Sequence, residues 1–421
     1  MSSTLLINGT LVNEGRIRAA DVLIEGDRIA RIDSDLSTAS ADRIVDVSGC
    51  HLLPGLIDDQ VHFREPGLMH KATIASESLA AVVGGVTSVM EMPNTTPPTT
   101  SRAALDDKRD RARGRSYANY AFYLGAANDN IDEIRRLRPG DACGIKVFMG
   151  ASTGNMLVDD PATLERIFAE AAVLVATHCE DTPTIRRNEA AFRRRYGEDV
   201  PMACHPQIRS AEACFKSSAL AVDLARRHGT RLHILHLTTA QEIGLLQAGA
   251  VDAKRITAEV CVHHLWFDES GYAELGTLIK CNPAIKRRED REALLRALRE
   301  DLIDVVATDH APHTLEEKRQ SYFAAPSGLP LVQHSLQMLL DLSRAGHLTL
   351  EQLVHKAAHA PAQLFGIDGR GFLREGYFAD LAIVNLDRPQ RVTKESLRYK
   401  CAWSPLEGRE LGATVVMTIV N

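Results

Sequence analysis

The chain has 421 residues, 45% hydrophobic and 25% charged, a balance that suits a soluble fold of one large domain plus a small one. A net charge of -6 is too mild to favour nucleic acid or a membrane surface as partner. No apolar run approaches the roughly 18 residues needed to span a bilayer, and the N-terminus "MSSTLLINGTLVNEG" lacks a signal-peptide pattern.

Residues 4 to 48 alternate in the manner of short strands. "TLLINGTLV" and "ADVLIEGDRIARID" are broken by Asn-Gly and Glu-Gly-Asp, which read as turns. From residue 55 the pattern changes to apolar runs followed by helical stretches. The runs occupy 55–62, 87–93, 117–126, 144–149, 173–179, 231–237, 256–262 and 304–310. Eight such βα units over about 300 residues predict a closed (β/α)8 barrel of the TIM type, with a doubly wound open sheet as competitor. No Gly-x-Gly-x-x-Gly follows the first run, so a dinucleotide site lacks its signature. The polar excursion at 180–215 reads as an exposed insertion in preference to a lid. "FADLAIVNL" and "GATVVMTIVN" near the C-terminus are again strand-like and should join the N-terminal strands. The expected domains are 1–52 and 366–421, together a small β-sandwich, and the barrel 53–365. The eight cysteines have no short paired spacing, which predicts free thiols in a cytoplasmic protein.

A barrel of this kind does its chemistry at the C-terminal ends of its strands. In "GLIDDQVHFREPG", Asp58, Gln60 and His62 alternate and should point to one side. Lys146 interrupts the apolar "GIKVFM". His178, His236 and Asp309 end the fifth, sixth and eighth runs. One such group is explained by a local hydrogen bond, but five or six converging on one rim call for a shared divalent metal, because burying them alone is costly. Imidazole and carboxylate suit Zn2+, one or two ions per chain. Lys146 fits if burial strips its proton, since a neutral amine can add CO2 and become a bridging carbamate. His233 and His236 face opposite ways on a strand, and His236, nearer the end, is favoured. His263 and His264 also differ in facing, and either one can be structural.

Together "PGLIDDQVHFREPG", "MEMPNTTPPTT", "IKVFMG", "ILHLTT", "KCNPAIK", "ATDHAPHT" and "YKCAWSPLEG" resemble the amidohydrolase superfamily, and more closely the dihydroorotases, over essentially the whole chain. The resemblance implies that His62 binds one metal and His178 and His236 the other, with Lys146 as a carbamylated bridge. It implies that Asp309 is both ligand and proton shuttle, and that Arg64, Asn94, Asn282 and His313 bind substrate. The implied reaction is the reversible interconversion of N-carbamoyl-L-aspartate and L-dihydroorotate in pyrimidine biosynthesis, driven by metal-bound hydroxide with Asp309 as general acid and base. A homodimer is implied as well.

Gln60 departs from the family pattern, which has histidine there. A neutral amide oxygen is the weaker zinc ligand, so the first metal should be the more loosely held; His263 is the alternative donor. Two rival readings follow. One is another cyclic amidohydrolase (hydantoinase, dihydropyrimidinase or allantoinase). The other is an inactive homologue that partners aspartate transcarbamoylase. Segment 311–330 should close over a small anionic substrate.

Overall fold

The structure is a computed structural model and describes residues 2–150 and 156–421. At the N-terminal end β1 (Ser3–Asn13), β2 (Arg16–Glu25) and β3 (Arg28–Asp33) form an antiparallel meander. The first hairpin turns at Glu14 and Gly15, both at positive φ (50° and 71°), as a tight two-residue connection demands. Asn8-Gly9 is not the turn its sequence suggests. It is a bulge inside β1, with Asn8 at φ 63° and the register slipping between Leu6 and Gly9. The Asn8 N–H donates to Asp21 Oδ1 at 2.8 Å, and a Cβ on Gly9 would lie 2.1 Å from Leu52 Cδ1. The bulge divides the strand: residues before it pair with β4 (Arg43–Asp46), those after it with β5 (His51–Pro54).

The barrel follows. β6 (Leu56–Val61), β7 (Val86–Glu91) and β8 (Asn119–Phe122) run parallel. The third expected strand breaks at Tyr123, whose hydroxyl donates to Asp59 O, and resumes as β9 (Leu124–Gly125). From β9 the parallel order continues through β10 (Ile145–Phe148), β11 (Val175–His178), β12 (Leu232–Ile234), β13 (Ile256–Cys261) and β14 (Val305–Ala307). The ring closes where His62 N–H donates to His310 O at 2.7 Å and Thr308 Oγ1 donates to Asp58 Oδ2 at 2.5 Å. The chain is therefore the expected (β/α)8 barrel. Several surrounding helices begin at side-chain caps, including Thr73, Ser101, Asp160, Asp181 and Ser210.

The chain then returns to its start. β15 (Leu381–Asn385) pairs with β5, β16 (Gln390–Arg391) and β17 (Glu410–Leu411) form a ribbon, and β18 (Thr414–Ile419) pairs with β15. One seven-stranded sheet results, in the order β18-β15-β5-β1-β2-β3 with β4 on β1. No helix among the described residues is long and apolar enough to cross a membrane.

Candidate active site

Ten of the residues singled out from the sequence line one cavity of about 310 Å³ at the barrel rim: Gln60, His62, Arg64, Asn94, Lys146, His178, His236, Asn282, Asp309 and His313. Asp58 does not join them. The register of β6 shifts between Asp58 and Val61, which breaks the simple alternation, and Asp58 bonds instead to Thr308 of the neighbouring strand.

His62 sits between two acceptors. Its Nδ1 is 2.7 Å from Asn94 Oδ1 and its Nε2 is 3.0 Å from Asp309 Oδ1. The amide oxygen can only accept, so Nδ1 carries a proton; Nε2 donates to Asp309 when the ring is charged and turns a lone pair toward the carboxylate when it is neutral. Burial holds His62 below its ordinary pKa, with Asp309 only partly opposing this. A lone pair facing a carboxylate is repulsive unless a cation lies there. Burial alone would raise Asp309, but His62, His263 and Lys146 around it hold its carboxyl below the usual range.

The second pair has the same character. His178 Nε2 donates to Glu180 Oε2 at 3.0 Å, which leaves Nδ1 unprotonated and 3.0 Å from His236 Nε2. His236 Nδ1 is buried without a hydrogen-bond partner. Burial depresses both imidazoles. Lys146 lies within electrostatic reach of all four groups, is 1% exposed, and has no carboxylate within 4 Å among the described residues. Burial brings it down to about 8, with Asp309 and Glu259 partly resisting. Neutral imidazoles, an orphaned ring nitrogen, a carboxylate and a lysine that sheds its proton easily make a donor set that fits divalent metal. Gln60 is placed differently. Its Nε2 donates to Asp309 Oδ1 at 3.2 Å, while Oε1 lies 4.0 Å from Cys261 Sγ. In this orientation the amide presents an N–H to Asp309 and so braces that carboxylate.

Another part of the cavity lining is cationic. Arg64, at φ 66°, donates from Nε to Pro312 O at 3.1 Å and has Nη2 3.0 Å from His313 Nε2. It is 6% exposed, and no carboxylate lies within 4 Å of its guanidinium among the described residues. Burial lowers it to about 10, against the pull of Asp309 and Glu91. Asn282 Oδ1 accepts from Ser327 Oγ at 3.0 Å, and so helps hold the segment over the cavity.

Sequence reasoning missed several contributors. The excursion at 180–215 is not merely exposed: Glu189, His205 and Arg209 from it line the cavity. Glu180, two residues past His178 in "THCED", is the group that fixes that imidazole. Burial would raise Glu180, yet Arg209 and His178 bring it to about 2. The i, i+2 spacing was the available signal. Segment 311–330 is also anchored more firmly than a free lid. Lys318 Nζ donates to the carbonyls of Lys280, Pro326 and Gly328, and Trp403 Nε1 donates to His313 O at 2.7 Å. His263 is buried beside Asp309 but does not line the cavity, and His264 Nε2 bonds to Pro283 O at 3.1 Å.

The amidohydrolase family model matches residues 51–421. A dihydroorotase of Methanosarcina acetivorans is 34% identical over 416 residues, covering 96% of this chain and 88% of that protein. A dihydroorotase of Halobacterium salinarum is 34% identical, covering 99% and 95%. Among solved structures, an L-hydantoinase (dihydropyrimidinase) from Arthrobacter aurescens superposes with a TM-score of 0.94 at 28% identity, covering 100% of this chain and 95% of that one. A dihydropyrimidinase from Brevibacillus agri gives 0.89 at 24% identity, covering 99% and 94%, a likeness of fold. The chain belongs to the amidohydrolase family. Within it, the chain is a cyclic amide hydrolase similar to the dihydroorotases.

Proposed function

We propose that the chain interconverts L-dihydroorotate and N-carbamoyl-L-aspartate. One observation carries the choice of substrate: a buried Arg64 guanidinium lines the cavity, and among the described residues no carboxylate lies within 4 Å of it. A substrate that brings its own carboxylate supplies that partner, and the planar guanidinium is shaped for a bidentate grip. The dihydroorotases that are 34% identical over nearly the whole chain support the same reading.

The side chains have separable tasks. Arg64 and His313 hold the substrate carboxylate, with Asn94 and Asn282 supplying further polar contacts from the same cavity. This fixes the ring with its reacting carbonyl toward the paired ligands. His62, Lys146, His178, His236 and Asp309 would hold the metal, for which zinc suits the donors. When bound, the metal would polarise the carbonyl and lower the pKa of water. Asp309 takes the proton of the attacking water and passes it to the departing ring nitrogen; in ring closure it acts in the reverse order. Glu180 keeps His178 in the tautomer whose free nitrogen points inward.

A second reading is supported by the hydantoinase likeness and by the aromatic wall of Phe148, Tyr322 and Phe323, which would suit an apolar ring substituent. Parallel assays on dihydroorotate, carbamoyl-aspartate, dihydrouracil and hydantoin, with metal counted on the same sample, separate the two. The proposal expects kcat/KM for dihydroorotate at least tenfold above that for the uncharged rings. Faster turnover of dihydrouracil or hydantoin establishes the second reading.

A further inference from the structure

Below the rim cavity, and outside its lining, Asp59 of β6, His233 of β12 and Glu259 of β13 meet with no exposed surface at all. Their protonation can be read from the neighbours. Thr257 Oγ1 lies 2.8 Å from His233 Nδ1 and 3.2 Å from Leu232 O; with its single proton given to the carbonyl, it accepts from the ring. Nδ1 therefore carries hydrogen. The other ring nitrogen, Nε2, lies 3.3 Å from Asp59 Oδ2 and 3.5 Å from Glu259 Oε2.

The facing atoms of this cluster are left without hydrogen bonds. His233 Nε2, both oxygens of Asp59 and Glu259 Oε2 are buried and make no hydrogen bond among the described residues. A neutral imidazole would aim a lone pair at two carboxylates. A protonated one has a single N–H for two acceptors, and neither is in hydrogen-bonding geometry. Leaving such groups uncompensated costs several kcal/mol each, at the order seen for buried charges.

The spacing suggests what fits. The three donor atoms lie within 4.8 Å of one another, with two of the edges at 3.3 and 3.5 Å. A point equidistant from all three sits roughly 2 to 2.4 Å from each, and zinc binds imidazole nitrogen and carboxylate oxygen at about 2.0–2.2 Å. The Nδ1–H bond to Thr257 is also the outer-shell contact that a metal-bound histidine needs to fix its tautomer.

We propose that Asp59, His233 and Glu259 form a buried site for one divalent cation of the zinc type, separate from the rim ligands. The ion would tie the first, sixth and seventh barrel strands together directly beneath His236, whose backbone N–H donates to Glu259 Oε1 at 3.1 Å. Having no exposed surface, the site should take its ion during folding and release it slowly. It goes beyond the reaction proposed above and does not depend on it: a chain inactive on carbamoyl-aspartate could still hold this ion.

The test is anomalous scattering on crystals of the zinc-loaded, full-length protein, measured above and below the zinc edge, with metal analysis of wild type and Asp59→Asn. The expected result is a peak bonded to Asp59, His233 and Glu259, distinct from any rim peak. Asp59→Asn should lose one equivalent of zinc per chain. Rim peaks without one at this cluster, or unchanged zinc content in a folded Asp59→Asn, overturn the proposal in favour of an imidazolium held between two carboxylates. If Asp59→Asn does not fold, the wild-type map alone decides.

Discussion

Asp58 offers a quantitative check on how the barrel seam is held. The side chain is fully buried, accepts from Thr308 Oγ1 at 2.5 Å and from the N–H groups of Thr308 and Gln60 at 3.2 Å, and joins the first strand to the eighth. Burial pushes its carboxyl up to about 7, although the Thr308 hydroxyl pulls the other way. The unfolded chain ionises this group near 3.8. Between those values the folded state binds more protons than the unfolded state, so stability is highest at low pH and declines as pH rises toward 7. The wild type should therefore lose about 2.5 kcal/mol between pH 5 and pH 8 through this one group. Asp58→Asn removes the titration while keeping the shape. Urea unfolding of both proteins at the two pH values measures the difference of differences. The expected outcome is a stability gap that moves in favour of the variant by about 2.5 kcal/mol on going from pH 5 to pH 8. An equal gap at both values would refute the reasoning, because any lost hydrogen bond acts at every pH while only the ionisation has a slope.

Further expectations concern the site. Arg64→Met should raise KM for dihydroorotate on the order of 30-fold or more, as loss of a charged hydrogen-bonded contact predicts, and should leave turnover of uncharged rings much less affected. Glu180→Ala frees His178 from its orienting partner, so zinc affinity, titrated with a competing chelator, should fall roughly 10- to 100-fold. Gln60→His adds an imidazole beside Asp309, and the variant should retain a rim metal through a mild chelator wash that the wild type loses. Lys318→Met leaves the carbonyls of Lys280, Pro326 and Gly328 without their shared donor; hydrogen exchange across 311–330 should then quicken while the barrel strands stay protected.

The eight strands were legible because each is a short apolar run followed by a helical stretch, and that periodicity survives wherever packing demands it. What stayed hidden came from backbone departures that no periodicity encodes. Asn8-Gly9 reads as a hairpin turn, yet the side chains of Asp21 and Leu52, distant in sequence, make it a bulge. Strict alternation puts Asp58 with Gln60 and His62, but the slip in β6 sends it to Thr308 and lets Asp59 reach His233. His233 and His236 should face opposite ways; β12 ends at Ile234 and His236 takes φ 39°, so both serve the interior, one at each level. The rim ligands could be found because charged groups stand out in apolar strands. Glu180 and Arg209 sit in polar surroundings, where nothing in composition marks them.

The segment that follows the barrel also braces the cavity wall at His313. Trp403 holds the carbonyl of His313, the Tyr399 hydroxyl accepts from Gln333 N–H, and Lys400 N–H donates to Glu77. All three come from a segment that leaves the ribosome after every barrel strand. Of these contacts, the one from Trp403 reaches a residue that lines the cavity, His313. The cavity wall is thus fastened from outside the barrel, so a change at Trp403 would reach His313 without touching any barrel strand.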